Sequence, residues 1–256
     1  MTESQEKQKE YLKNIYRGKL PRENPFIIDL GNGKELFVIS PGDNNFAREL
    51  DIISRYRSLY DIVLDLKGKI NFSLDNAIDR AYSDELIESF NVIGPASDDE
   101  WFAYYYIENA LFRIETMWDI LAQIYNIKYE LGLDMKQVYH SRIFSSEERF
   151  VQKYWKNSVP KEIQSVSDYF NETDNTDISD GMWKGNYKYI NDLRNNMTHK
   201  IAISQESFSS YSFSFKEPPL YILKRVTEGY AQLEDFIYIA CKNIMAECLS
   251  ECNEVE

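Results

Sequence analysis

The sequence predicts an all-α protein: an antiparallel helical bundle with an N-terminal helical extension that contains a small β-hairpin. Three observations lead there. Apolar residues recur at steps of three and four over long stretches. Ser-x-x-Glu boxes, which satisfy the free N–H groups of a first helical turn, stand at the head of two of these stretches. Only 10 Gly and 7 Pro punctuate the 256 residues, too few for a turn-dense all-β chain. The expected division is an extension over 1–95 and the bundle over 96–256.

The elements follow in order. Residues 3–17 read as a short polar helix. Pro25–Leu30 and Glu35–Ser40 flank Gly31-Asn-Gly-Lys, whose Asn-Gly step is a hairpin signal. Phe46, Leu50, Ile53, Leu59, Val63 and Leu66 predict a helix that ends at Gly68, and Leu74, Ile78, Leu86 and Phe90 a second one over 73–92. Ser97 to Glu100 forms the first capping box. Behind it, Ala103, Ile107, Ala110, Leu111, Ile114, Met117, Trp118, Leu121 and Tyr125 hold one face for about seven turns. Ser145 to Glu148 opens a helix over 146–157, and Pro160 opens one to about 170. The acid-rich loop 171–181 fails the calcium-loop pattern: from Asp177 the glycine is misplaced and Lys188 stands where a Glu is needed. A helix over 185–199 carries the seam Tyr187, Ile190, Leu193 and Met197. Residues 201–215 look extended. A final helix over 219–250 alternates steps of three and four from Leu223 to Cys248.

Charge and composition exclude several classes. A net charge of −13 repels nucleic acid and anionic membrane as a whole, so any polyanion must meet a local basic site. No window approaches the ~18 apolar residues of a membrane span, and the charged first ten residues lack the apolar run of a signal peptide. Cytoplasmic residence without a membrane partner is the expectation. Cys241, Cys248 and Cys252 are odd in number and read as reduced thiols on the last helix. The 19 Tyr, 14 Phe and 4 Trp point to a thick core or a subunit interface.

Histidine is scarce, with His140 and His199 alone. No glycine-rich phosphate loop, zinc motif or nucleophile elbow is present, and neither a metal nor a cofactor is expected. His140 falls in an irregular stretch and reads as a hydrogen-bonded surface residue. One segment remains: Arg194, Asn195 directly after it, and His199 five places beyond the arginine, late on an amphipathic helix. This arrangement resembles the HEPN superfamily, whose ribonuclease members carry R-x(4–6)-H with a polar residue after the Arg. The likeness of motif and helices covers roughly 97–250.

The resemblance implies metal-independent RNA cleavage to a 2′,3′-cyclic phosphate and a 5′-hydroxyl, with Arg194, Asn195 and His199 catalytic. It also implies a homodimer, RNA or a nucleotide as ligand, and a toxin or defence setting with an antitoxin protein as partner. A non-catalytic HEPN-like module that binds a nucleotide or a protein is the alternative. On a straight helix Arg194 and His199 lie about 140° and ~7.5 Å apart. They converge if the helix ends or bends near Met197-Thr198, or if a second subunit completes the site.

Neighbouring residues fill out the candidate site. Lys184, Lys188, Arg194 and Lys200 face Asp192 alone over 183–200, a local basic balance in which Lys188 and Lys200 are candidate substrate contacts. Glu108, Glu115 and Asp119 border the apolar face of helix 97–127, and one of them could aim Arg194. Of Tyr104, Tyr105 and Tyr106, successive rings point three ways, so packing is favoured over base stacking.

Overall fold

A computed structural model describes residues 1–29, 35–37, 46–156, 158–176, 181–199, 203–204, 207–208 and 213–253, with side chains described over 1–27, 51–156, 158–176, 181–198, 203–204 and 215–247. The architecture is all-α. Helix α1 (Glu3–Ile15) opens on a capping box between Thr2 and Gln5. Strands β1 (Ile27–Asp29) and β2 (Glu35–Phe37) pair antiparallel, Ile28 opposite Leu36, and the intervening Asn-Gly lies outside the described residues.

Helix α2 (Phe46–Ala81) is one element where the sequence suggests two. Gly68 sits inside it. The buried seam Leu59, Val63, Leu66, Ile70, Leu74 and Ile78 runs past the glycine unbroken, and burial of that stripe outweighs the roughly 1 kcal/mol helix penalty of one Gly. The predicted helix 73–92 instead divides at Ser83. Its Oγ accepts the Leu86 N–H at 3.3 Å and starts α3 (Asp84–Ser89).

Helix α4 (Asp98–Lys128) starts where its cap predicts, with Ser97 Oγ accepting the Glu100 N–H at 3.2 Å. The Glu100 carboxylate meets buried Lys216 at 2.7 Å. The second box fails. Ser145 Oγ accepts from the Glu147 N–H, so helix 146–157 shrinks to α6 (Glu148–Phe150), after α5 (His140–Ile143), and passes into a π-turn over Val151–Trp155. Burial of Tyr154 and Trp155, with the Trp155 indole donating to the Ile143 carbonyl at 3.0 Å, decides that turn.

Helices α7 (Lys161–Phe170), α8 (Asn186–His199) and α9 (Pro219–Asn253) agree with their predicted spans. Within 201–215, β3 (Ser207–Phe208) pairs antiparallel with β4 (Phe213–Ser214). Pro219 takes the first position of α9, where its missing N–H is harmless. All three cysteines lie on α9. Burial pushes the Cys241 thiol up to about 12, and the side chains of Cys248 and Cys252 lie outside the described residues.

The chain clusters into two compact units, neither of them contiguous in sequence: Met1–Arg17, Gly68–Thr116 and Asp168–Gln232 form one, Gly18–Lys67, Met117–Ser167 and Leu233–Glu256 the other. In the first, Leu12, Ile70, Leu74, Ile107, Leu111, Ile114, Leu223 and Val226 are buried. In the second, Tyr60, Val63, Leu121, Phe144, Ile237 and Ile244 are. Glu162 is a polar hub of the second unit. Its carboxylate accepts from Lys128 Nζ at 3.0 and 3.1 Å, the Tyr129 hydroxyl at 2.8 Å and Asn243 Nδ2 at 2.5 Å. Burial works against its charge, but these donors together hold its pKa below the usual carboxylate range.

Two outcomes follow. A Cβ added at Gly68 meets nothing within 4 Å, so Gly68→Ala should stabilise the protein by roughly 0.5–1 kcal/mol in urea unfolding. A lowered folded pKa means that Glu162 contributes stability above its unfolded value of about 4.3, and that this is lost as pH falls through the folded value. The acid limb of stability against pH should therefore be shallower in Glu162→Gln than in the parent.

Candidate functional site

Helix α8 is set firmly at its N-terminal half. Gly185, at φ +73°, precedes it, and a Cβ there would meet the Asp174 backbone at 3.0 Å, so this turn requires glycine. Asn186 Nδ2 donates to the Trp183 carbonyl at 2.8 Å, and its Oδ1 accepts from Arg225 at 3.0 Å. Tyr187 stacks on Phe170 at 3.4 Å between ring centroids. Where α8 crosses α9, Gly229 leaves the space into which Ile190 packs.

Behind that anchor lies a buried polar cluster that the sequence reading missed. Arg225 is 1% exposed and Glu228 is fully buried. The guanidinium pairs with Asp174 and the carbonyl of Lys184, and faces the rings of Trp183, Tyr189 and Tyr221 at 4.9–5.6 Å. Glu228 accepts from Lys224, from the Tyr11 hydroxyl at 3.0 Å and from the Trp183 N–H at 2.8 Å. A signal was present in the sequence: Lys224, Arg225 and Glu228 are charged residues set among the apolar positions of the last helix, Lys224 and Glu228 one helical turn apart.

The second half of α8 carries Arg194. The helix continues to His199, so the expected end or bend near Met197-Thr198 does not occur: Thr198 Oγ1 caps back onto the Arg194 carbonyl at 3.0 Å without breaking the helix. Arg194 and His199 therefore stay about 140° apart around one axis. Arg194 is half-buried. One terminal nitrogen donates to Asn195 Oδ1 at 3.0 Å, and among the described residues its buried Nε has no hydrogen-bond partner. Asn195 Nδ2 reaches Asn191 Oδ1 at 3.4 Å. The structure thus brings Arg194 and Asn195 together. The His199 side chain and all of Lys200 lie outside the described residues.

The three candidate acids part company. Asp119 is taken up by His140, accepting its Nδ1 at 2.7 Å and its backbone N–H at 3.0 Å. His140 is correspondingly buried, 7% exposed, and is not the surface residue the sequence suggests. Glu115 is buried on α4. Glu108 is half-buried and accepts the N–H of Ile203, four residues beyond His199; burial pushes its carboxyl up, and that hydrogen bond opposes the push. Glu108 is thus the candidate acid placed beside the segment that follows α8.

Lys188 does not stand in a basic field. It is exposed at a cavity of about 690 Å³ whose wall also holds Glu172, Asp174 and Asp192. The loop 171–176 folds back to supply the first two carboxylates, which a count over 183–200 omits.

The model of the Cthe2314-like HEPN family matches residues 53–249. The match begins within α2, so the likeness includes helices that the sequence reading left in the extension over 1–95. No curated protein and no solved structure matches the chain significantly.

Truncating Glu228 to Ala would leave the Lys224 ammonium buried without its carboxylate. Glu228→Ala should lower stability by about 3–5 kcal/mol in denaturant titration, and Glu228→Gln by less.

Proposed function

The chain belongs to the Cthe2314-like HEPN family, and from that premise we propose that it is a metal-independent endoribonuclease whose active site forms from helix α8 of two copies. The observation that carries this reading is the unbroken course of α8 through Arg194 to His199. Two residues about 140° apart on one helix do not close on one phosphate. Two such helices paired about a two-fold axis set the arginine of one copy against the histidine of the other.

The chemistry needs no more than these groups. The RNA 2′-oxygen attacks the adjacent phosphorus, its proton passes to the imidazole, and the imidazolium so formed gives a proton to the leaving 5′-oxygen. The products are a 2′,3′-cyclic phosphate and a 5′-hydroxyl. An imidazole, whose charge change in water falls near pH 6.5, suits both transfers near neutral pH, and His199 supplies it. Arg194 stays cationic and stabilises the charge that develops on the phosphorane oxygens. Its half-buried setting strengthens that attraction, and Asn195 acts as a positioning residue through the 3.0 Å hydrogen bond to the guanidinium. Glu108 and Glu115 remain the candidates for a supporting acid, and Lys200 for a phosphate contact. Action on cellular RNA in the manner of a toxin, with an antitoxin protein as its control, belongs to the same reading.

A second reading has its own observation. The carboxylates around Lys188, within a −13 chain, disfavour a polyanion there and favour, of the non-catalytic alternatives, a module that takes a protein over one that takes a nucleotide.

Incubation with RNA in EDTA tests the proposal. Cleavage should persist in the parent, fall about 10²–10³-fold in Arg194→Ala, and fall at least as far in His199→Ala. Mixing the two inactive variants should restore part of the activity, because a mixed dimer keeps one intact site. An inactive parent, or unchanged cleavage in both variants, overturns the proposal; mixtures that stay inactive remove the shared site.

A further inference from the structure

The second compact unit holds a cavity that the cleavage reading leaves unused. It measures about 380 Å³, within the range of small-molecule sites, and Tyr129, Glu130, Lys153, Tyr154, Trp155 and Lys156 are among its lining. Two helix ends supply those residues. Helix α4 closes in a Schellman turn, the Leu131 N–H donating to the Asn126 carbonyl at 3.0 Å and the Glu130 N–H to the Ile127 carbonyl at 3.1 Å. The π-turn over Val151–Trp155 closes on Lys156. Both ends pass through the left-handed region, and neither uses glycine to do so. Glu130 stands at φ +48° and Lys156 at φ +47°, and among the described residues these are the two non-glycine residues at positive φ. A Cβ crowds the backbone there, so glycine would hold either turn at less cost. Both exceptions line one cavity, beside a π-turn. Strain of this kind is kept where the side chain itself is needed.

The charges of the lining point to an anion. Lys153 and Lys156 are exposed, and neither makes an ion pair among the described residues. Lys153 Nζ lies 5.1 Å from the Tyr154 ring centroid, a contact that steadies the ammonium without neutralising it. Glu130, the one carboxylate among the described lining residues, is already engaged. The rings supply apolar wall. The Trp155 indole N–H is taken up by the Ile143 carbonyl at 3.0 Å and the Tyr129 hydroxyl by Glu162 at 2.8 Å, and the two rings meet edge-on at 5.5 Å. With their polar tips committed elsewhere, they offer a ligand ring carbon.

We propose that this cavity binds a small phosphomonoester with an apolar body, its phosphate held by Lys153 and Lys156 and its body lying against Tyr129 and Trp155. Ammonium groups act as point charges and suit a tetrahedral dianion. A planar carboxylate is matched best by the arginine fork, and no arginine is among the described lining residues. Every residue of this site belongs to the second unit and α8 to the first, so the proposal stands whether or not α8 cleaves RNA.

Isothermal titration calorimetry of the full chain with phenyl phosphate tests it, at about pH 7.5, where a phosphomonoester with its second pKa near 6 is a dianion. Saturable binding is expected. Inorganic phosphate, which lacks the apolar body, should bind about tenfold more weakly, and so should benzyl alcohol, which lacks the charge. Lys153→Gln and Lys156→Gln should each weaken phenyl phosphate about tenfold or more. Lys242→Gln, an exposed lysine of α9 outside the lining, should bind as the parent does. Lys156→Gly separates a ligand role from a structural one. It should lose affinity as Lys156→Gln does while its urea midpoint rises, because glycine takes the left-handed turn freely. Absence of saturable binding, equal affinity for inorganic phosphate (an adventitious ion only), or parent-like affinity in the Lys153 and Lys156 variants overturns the proposal. So does a matching loss in Lys242→Gln, or a lowered midpoint in Lys156→Gly.

Discussion

The close crossing of α8 over α9 is the constraint on which the candidate site depends. Glycine at 229 lets Ile190 seat against α9, and glycine at 185 allows the turn that brings Asp174 beside the start of α8. Arg225 and Glu228 then fill the space behind that start, Arg225 donating to the Lys184 carbonyl and to Asn186 Oδ1, and Glu228 accepting the backbone N–H of Trp183. The helix anchored at that end carries Arg194 on its other half, where Asn195 accepts a hydrogen bond from the guanidinium.

Three buried cations of the interior are paired with carboxylates. Lys216 with Glu100 and Arg225 with Asp174 each bind a segment outside the regular helices to a helix face, while Lys224 pairs with Glu228 one turn on along α9. Buried ions of this kind add less to stability than apolar packing of equal volume would, but an unpaired one is strongly unfavourable. They therefore penalise alternative registers of α8 and α9 more than they deepen the native state. The exposed rings of α2 and α4 are a different matter, because nothing about a stable fold asks for Phe72, Trp101 and Tyr105 at the surface.

Much of the helical framework was legible in the chain. The spans of α1, α4, α7, α8 and α9 follow from caps and from apolar steps of three and four, which are local properties that survive in any tertiary setting. The errors share one cause. Gly68, Ser83 and the Ser145 box were read by local propensity, and each was settled by burial of residues distant in sequence or by a cap with no strong flanking pattern. At the candidate site, the likeness carried by Arg194, Asn195 and His199 pointed to the family that residues 53–249 match. The partners of the acids were not legible: Asp119 holds His140, and Lys188 sits among carboxylates from a loop that sequence distance places elsewhere.

By itself the sequence determined the helical class, the register of each apolar face and the spacing of Arg194 and His199, because all three depend on the fixed rise and turn of a helix. The tertiary structure alone decided that α8 stays helical through both residues, which charges meet which partners, and which aromatic rings are left facing water. Those outcomes turn on contacts between segments tens to hundreds of residues apart, where desolvation and close packing outweigh local preference.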